Sequence, residues 1–305
     1  MDIKQLKFLV ALERTRHFGL AATDCHVTQP TLSMRLRDLE DELGLELIRR
    51  NQRFLGFTPA GERILAWAHN LLDAEAGLYA EAAACRGQLV GTLRLGVVPL
   101  AGLDPIRLVE LLFASHPQMR FQLFALSSEQ ILEQLTRNQL DLGLAYIERL
   151  ATREHFTVHS LEPTAMGLLH DTRHFRFDPA GLGWQAVAEL PLGLLSAGMH
   201  FRQSIDHAFR QRALKPQLRL ETDSIFHLLQ AVGAGLCCGV VPLDASLQAH
   251  DEHLRLVPIE DAHTLAPLSL IMASGAPRSP LAEACFEDIR RNLAQALRGD
   301  ALLPR

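Results

Sequence analysis

A run of side chains between Thr28 and Arg53 has the chemistry needed to contact base edges and phosphates. Gln29 carries an amide that can form two hydrogen bonds to adenine, and arginine can bind guanine or a phosphate. Hydroxyl side chains and methionine can contact single acceptors or thymine methyl groups. Taken alone, each of these side chains could also be a plain surface residue. The residues that are candidates to contact double-stranded DNA are Thr28, Gln29, Pro30, Thr31, Ser33, Met34, Arg35, Arg37, Arg50 and Arg53.

A second set of residues follows predicted strands in the rest of the chain. Ligands of α/β domains bind at the carboxyl ends of strands, and helix N-termini there offer N–H groups to anions. Arg202 would add positive charge, so we expect a small carboxylate as ligand. The predicted contacts are Pro99, Leu100, Ala101, Ser127, Ser128, Tyr146, Phe201, Arg202 and Thr222. Two alternatives stay open: Ser127 and Gln130 also fit a capping box, and Arg202 also fits an exposed surface position.

The elements that must position the first set are short helices. Apolar residues at helical spacing predict one helix over residues 2–14 and another over residues 19–25. Thr28 predicts the N-cap of a third helix, which has Pro30 in its first turn and ends near Gly44. Two helices that meet at a tight turn are typical of a helix-turn-helix.

The segment after Gly44 predicts a wing and then a long helix. Residues 45–50 and 54–58 are predicted strands, and Thr58-Pro59 restarts a helix that runs to about residue 86. Its apolar stripe is too long to be buried by so small a domain, so we expect it to pair with a second subunit in a homodimer or homotetramer. Packing on its own C-terminal domain is the alternative.

The segment from Phe18 to Gly61 resembles the LysR-type transcriptional regulators. The matching residues keep the family's order and spacing, and they are Phe18, Ala21-Ala22, Val27-Thr28-Gln29-Pro30, Ser33, Leu36, Leu39-Glu40, Leu43-Gly44, Leu47, Arg50 and Thr58-Pro59-Ala60-Gly61. The family usually has serine where His17 stands and often a polar residue where Met34 stands. The resemblance implies a sequence-specific DNA-binding transcriptional regulator that responds to a small-molecule effector.

The C-terminal half alternates strands and helices, which predicts a largely parallel α/β arrangement. It resembles the family's effector domain, which is similar to periplasmic solute-binding proteins. The family commonly has serine or threonine where Leu100 stands. The missing hydroxyl group removes a contact for a carboxylate and suggests a more apolar effector. The expected fold is an N-terminal all-α winged helix-turn-helix, a linker helix and a C-terminal α/β effector domain of two subdomains. The expected bounds are 1–58, 59–87 and 88–305, with subdomain I at 91–163 and 268–305 and subdomain II at 164–267.

The charge of the chain is unevenly distributed. The whole chain carries −5, but residues 1–63 hold ten basic and nine acidic side chains. Arg35, Arg37, Arg50 and Arg53 therefore lie in a part that is close to neutral, which allows DNA binding despite the acidic total. No apolar run is long enough for a membrane span, so we expect a cytoplasmic protein without membrane contact.

Three other function classes remain as alternatives. A redox-sensing regulator would use reactive cysteines, but we expect Cys237 and Cys238 to be buried structural thiols. An enzyme or a solute-binding protein would use the α/β cleft, but the glycine-rich segments fit neither a nucleophile elbow nor a dinucleotide fingerprint. His170 and His174 are expected at the surface and not as metal ligands. We therefore expect no catalytic residue, metal or cofactor.

Overall fold

The computed structural model describes residues 1–51, 53–86, 89–147, 155–243, 252–275 and 279–298, except for the side chains of Arg50, Ala80, Ala84 and residues 293–298. The chain divides into two compact units. The first unit contains Met1–Gln88 with Arg137–Gln139, and the second contains Leu89–Thr136 with Leu140–Arg305. Each unit has its own apolar core.

The first unit is a three-helix core with a wing and a long fourth helix. Its elements are α1 (Ile3–Thr15), α2 (Phe18–Asp24), α3 (Gln29–Leu43), β1 (Ile48–Asn51), β2 (Arg53–Phe57) and α4 (Pro59–Ala84). Antiparallel β1 and β2 form the wing, whose ladder is displaced between Arg49 and Arg50. The predicted helix-turn-helix and wing are both present.

Capping residues set the ends of the helices in this unit. The Thr28 hydroxyl accepts a hydrogen bond from the Thr31 N–H, and Gly44 ends α3 with a φ of +65°. The Thr58 hydroxyl accepts from the Gly61 N–H at 2.9 Å and donates to the Glu46 carbonyl at 2.6 Å. These caps are the ones that the sequence predicts. They fix α3 and α4 to within a residue or two of the predicted bounds.

The second unit contains two five-stranded sheets with helices against them. Its elements are β3 (Gly91–Val97), α5 (Pro105–Ser115), β4 (Met119–Ala125), α6 (Ser128–Thr136), β5 (Leu142–Tyr146), β6 (Phe156–Ser160), β7 (Ala165–Asp171), α7 (Trp184–Ala188), β8 (Pro191–Leu195), α8 (His200–Gln211), β9 (Gln217–Thr222), α9 (Ile225–Gly233), β10 (Cys238–Pro242), β11 (Leu254–His263), β12 (Leu268–Ala273) and α10 (Pro280–Arg298). The strand orders are β4-β3-β5-β12-β6 and β11-β7-β10-β8-β9.

The two sheets are mixed and not largely parallel as predicted. In each sheet three neighbouring strands are parallel, β4-β3-β5 in one and β10-β8-β9 in the other. The antiparallel strands β12, β6, β7 and β11 complete them. The alternation of strands and helices indicated parallel strands, so it did not reveal β6, β7 and β11, which pair antiparallel with their neighbours.

His170 is buried, contrary to the prediction of a surface histidine. Its side chain is 3% exposed and lies edge-on to Phe177 at 4.9 Å between ring centroids. It is buried because β7 lies between β10 and β11 in its sheet, a position that the sequence pattern did not reveal. Burial lowers the pKa of His170.

None of the helices in the described part of the chain is both long and apolar enough to cross a membrane.

Candidate nucleic-acid interface and ligand cavity

Helix α3 has one buried face and one exposed face. Leu32, Leu36 and Leu39 are fully buried in the core of the first unit. Gln29, Pro30, Met34 and Arg37 are exposed on the other side, and Met34 is 55% exposed although it is apolar. Thr31 and Ser33 are half-buried at the flanks. The buried leucines thus fix the orientation of α3, so that its N-terminal turns expose polar side chains and one methionine.

The two arginines of α3 differ in their surroundings. The Arg35 guanidinium lies 3.7 Å from the Asp2 carboxylate, and the Arg35 carbonyl accepts from the Gln5 amide at 3.2 Å. Arg37 is exposed and forms no hydrogen bond or ion pair with any residue that the structure describes. Arg35 is therefore turned toward α1, whereas Arg37 is available to an external anion.

His17 was not among the predicted site residues, yet it lies beside Gln29. The His17 Nδ1 accepts from the Gly19 and Leu20 N–H groups at 3.1 and 3.2 Å and so caps α2. A Cβ on Gly19 would lie 3.1 Å from the His17 ring and 3.4 Å from the Gln29 Oε1. The start of α2 and the Gln29 side chain are therefore in close proximity. The sequence contained one indication of this role: His17 stands at the position that must cap the N-terminus of α2.

The wing is attached to α3 by a buried carboxylate. The Glu40 Oε1 accepts from the Leu47 and Ile48 N–H groups at 2.9 and 3.0 Å. This contact fixes the first strand of the wing relative to α3. Arg53 is exposed in the wing, and the predicted contact Arg50 has its side chain outside the described part.

The apolar stripe predicted on α4 divides into two parts. Leu65 and Ala68 are buried in the core of the first unit, and Leu72 packs against that core. The exposed apolar side chains of the helix are Trp67 and three members of the predicted stripe, Leu71, Leu78 and Tyr79. The expectation that so small a domain leaves the whole stripe uncovered is wrong, because α1 packs along the first half of α4. Trp67, Leu71 and Leu78 share one helix face, since residues 4 and 11 apart are on the same side of an α-helix.

The second unit contains a cavity of about 710 Å³. It lies where the segment after β3 meets the carboxyl end of β4 and the start of α9. The residues that line it are Val97, Val98, Pro99, Leu100, Ala101, Gly102, Leu103, Asp104, Pro105, Leu123, Phe124, Ala125, Asp223, Ser224 and Ile225. Only Pro99, Leu100 and Ala101 of the predicted ligand contacts are among them.

The other predicted ligand contacts have internal partners or lie outside the lining. Ser127 and Gln130 form the reciprocal capping box that the sequence indicates, at 2.9 and 3.3 Å. The buried Tyr146 hydroxyl donates to the Leu100 carbonyl at 3.0 Å, and its ring stacks on His200 at 5.3 Å. Ser128 and Phe201 are buried, and the Thr222 hydroxyl accepts from the Ser224 N–H at 3.1 Å.

Arg202 is engaged by three acceptors within the second unit. Its guanidinium donates to Asp206 at 2.8 Å, to Glu221 at 2.8 Å and to the Leu195 carbonyl at 2.7 Å. The residue is only 8% exposed. Because its charge is already balanced by two carboxylates, Arg202 is not placed to add positive potential to the cavity.

The cysteines of the second unit are buried. Cys237, Cys238 and Cys285 are inaccessible, as predicted for the first two. Burial raises the pKa of Cys238 and of Cys285 to about 12, and it raises that of Cys237 as well. Cys85 at the end of α4 is exposed. Across the described ranges no group of three His, Cys, Asp or Glu side chains is placed to hold a metal ion.

A winged helix-turn-helix joined through a long helix to a two-sheet α/β unit defines a class of DNA-binding transcription regulator with an effector-binding domain. Two family models place the chain more narrowly. Residues 3–62 match the bacterial regulatory helix-turn-helix protein, lysR family, and residues 86–294 match the LysR substrate binding domain. The chain belongs to the LysR family of transcriptional regulators.

The chain is also similar to two bacterial gene regulators. A hydrogen peroxide-inducible genes activator of Haemophilus influenzae is 29% identical over 289 residues, which cover 91% of this chain and 92% of the relative. The DNA-binding transcriptional dual regulator OxyR of Escherichia coli is 39% identical over 144 residues, 46% of this chain and 47% of that protein.

Solved structures share the fold. A variant of full-length OxyR from Pseudomonas aeruginosa has a TM-score of 0.70 at 26% identity and covers 95% of this chain and 98% of that chain. CbnR, a LysR family transcriptional regulator, has a TM-score of 0.73 at 20% identity and covers 95% of this chain and 99% of that chain.

Proposed function

We propose that the exposed face of α3 reads base edges in the major groove and that a small molecule in the cavity of the second unit regulates the protein. The observation that carries this proposal is the outward face of α3. Gln29 there carries an amide that can form two hydrogen bonds to adenine, and Met34 can contact a thymine methyl group. Arg37 and Arg53 are exposed donors for phosphates. Residues 1–58 would bind DNA, and residues 88–305 would bind the effector between subdomains I and II.

We also propose that residues 59–87 pair two copies of the chain. The support is the exposed face of Trp67, Leu71 and Leu78, because a contiguous apolar face on a long helix is typical of a protein interface. A two-fold dimer places two recognition helices on two half-sites, and two such dimers would form a tetramer. Because its proposed partner is double-stranded DNA, we expect the protein to act in the cytoplasm, as a regulator and not as an enzyme.

The carboxylate predicted from the sequence depended on Arg202 and on open helix N-termini. Arg202 is paired and lies outside the cavity lining, and Ser127 is used as a helix cap. These contacts give no support to a carboxylate in the cavity.

Redox sensing is the second candidate function, and similarity to a hydrogen peroxide-inducible genes activator favours it. Against it, the three cysteines of the second unit are buried thiols with raised pKa values, whereas a reactive cysteine requires an accessible thiolate. Treatment of the native protein with hydrogen peroxide, followed by alkylation and mass spectrometry, tests this candidate. Oxidation of Cys237, Cys238 or Cys285 in the folded protein would support it, and oxidation confined to Cys85 or Cys25 would exclude it for the second unit.

The DNA contacts are tested by footprinting of the full-length protein on its own upstream DNA, with matched arginine variants. Arg37→Ala removes an available cation, and Arg35→Ala removes one that already faces Asp2. We expect Arg37→Ala to weaken binding and to reduce the slope of log affinity against log salt by about 1, because one phosphate contact is lost. Arg35→Ala should change both much less. Equal effects of the two substitutions would contradict the orientation of α3.

A further inference from the structure

We infer that the cavity of the second unit takes an apolar molecule with a cationic nitrogen, and not a carboxylate. This inference rests on the proposed function, because it assigns a chemical class to the effector of that same cavity. It depends on three features of the lining: its charged residues, its apolar side chains and a carboxylate that has no hydrogen-bond partner in the described part of the chain.

The charged groups of the described lining are all acidic. Asp104 and Asp223 carry the two charges, and the described lining contains no lysine, arginine or histidine. A carboxylate ligand would lose water and face two negative charges without a counter-ion, which is costly in a partly enclosed space. A cationic nitrogen would instead gain charge-assisted hydrogen bonds there.

The two aspartates have different roles. The Asp104 carboxylate caps α5 by accepting from the Ile106 N–H at 2.9 Å, and the Ser224 hydroxyl caps α9 by accepting from the His227 N–H at 3.4 Å, so both helix N-termini at the lining already have an internal acceptor. Asp223 is exposed and has no hydrogen-bond or ion-pair partner within the described ranges. Asp223 is therefore the free acceptor for a cationic group on the ligand.

The remaining walls suit an apolar body. Leu123 and Phe124, at the carboxyl end of an edge strand, are 39% and 38% exposed, although large apolar side chains are usually buried. Leu100 adopts a φ of +56°, and the hydrogen bond from Tyr146 to its carbonyl holds this turn in place. The volume of about 710 Å³ is in the range of cavities that enclose small organic ligands.

A series of probes with one apolar body and different heads tests the assignment. Phenethylamine, phenethyl alcohol and phenylpropionate are compared in thermal-shift titrations of the full-length protein. Near ten times its dissociation constant, the amine should raise the Tm by about 2–4 °C. The alcohol should bind more weakly, and the acid should give no shift.

Two matched carboxylate variants locate the contact. Asp223→Asn should lower the affinity for the amine roughly ten-fold or more, because a charged hydrogen bond is lost. Glu110→Gln removes another exposed carboxylate, on α5 outside the lining, and should leave the affinity unchanged. An amine shift that is lost in Asp223→Asn and kept in Glu110→Gln supports the inference.

Other outcomes refute the ligand class, and some of them also count against the cavity as a binding site. Stabilisation by the acid, or equal stabilisation by amine and alcohol, refutes the ligand class and leaves the cavity as the effector site. No shift by any probe up to about 10 mM refutes the ligand class and also counts against the cavity as a binding site. DNA binding of the full-length protein is measured in parallel by fluorescence anisotropy. This measurement does not depend on the probes, so a failure of the proposed DNA contacts can be distinguished from a failure of the ligand assignment.

Discussion

The junction between the wing and α4 leaves no space for a side chain at position 61. A Cβ on Gly61 would lie 2.1 Å from the Leu47 carbonyl oxygen and 3.2 Å from the Leu47 Cα. The same carbonyl accepts from the Thr58 N–H at 2.9 Å. In Gly61→Ala the two segments must separate by about 1 Å, which adds overpacking strain of about 1–3 kcal/mol and loses a hydrogen bond worth about 0.5–1.5 kcal/mol. We expect a local destabilisation of about 2–4 kcal/mol.

Amide hydrogen exchange of the full-length protein measures this effect where it arises. Peptides that span residues 45–62 should lose protection in Gly61→Ala, while the second unit should be unaffected. Gly77→Ala is the matched control, because it adds the same methyl group to the same helix at a site with no heavy atom within 4 Å. It should stabilise α4 by about 0.5–1 kcal/mol, since glycine is unfavourable in a helix interior. Unchanged protection in Gly61→Ala would refute the packing described for this junction.

Three further substitutions test other contacts. Glu40→Ala removes the acceptor of two wing amides and should destabilise the wing by about 3 kcal/mol in amide exchange, whereas the exposed Glu46→Ala should stay within about 0.5 kcal/mol; equal effects would contradict the role of Glu40. The hydrogen bonds from Arg173 hold the pKa of Asp171 at about 2, below its ordinary 3.8, so the stabilisation is present above pH ~4 and is lost as the pH falls through ~2. Arg173→Ala should raise this pKa toward 3.8 in an NMR titration, and an unchanged value would show that the contact is absent in solution. Leu78→Glu should shift sedimentation toward the monomer, because it places a charge on the exposed face of α4; an unchanged mass would show that this face is not the interface.

Features set by neighbouring residues could be predicted from the sequence. Thr28, Gly44 and Thr58 are caps in the structure because capping depends on contacts within one helical turn. The same holds for the capping box of Ser127 and Gln130. The exposed face of α3 followed from the periodicity of its leucines, since helical spacing determines which side chains share a face.

Features that depend on residues distant in the sequence could not be predicted in this way. Arg202 is neutralised in part by Glu221, which lies on a different element, so its environment is a property of the fold. Asp223 and Phe124 line the cavity because β9 and β4 are brought near the turn after β3, which the order of elements alone does not specify. The burial of part of α4 likewise depends on α1, which is remote from it in sequence.

The specificity of the full-length protein and of Gln29→Ala, measured on an operator set with every base pair substituted in turn, tests the central claim most directly. If α3 reads base edges, Gln29→Ala should lose about 1–3 kcal/mol of discrimination at one A·T position in each half-site. Its affinity for unrelated DNA should stay unchanged, because that binding depends on phosphate contacts. Unaltered discrimination at every position, or a uniform loss on all sequences, would contradict base recognition by this face of α3.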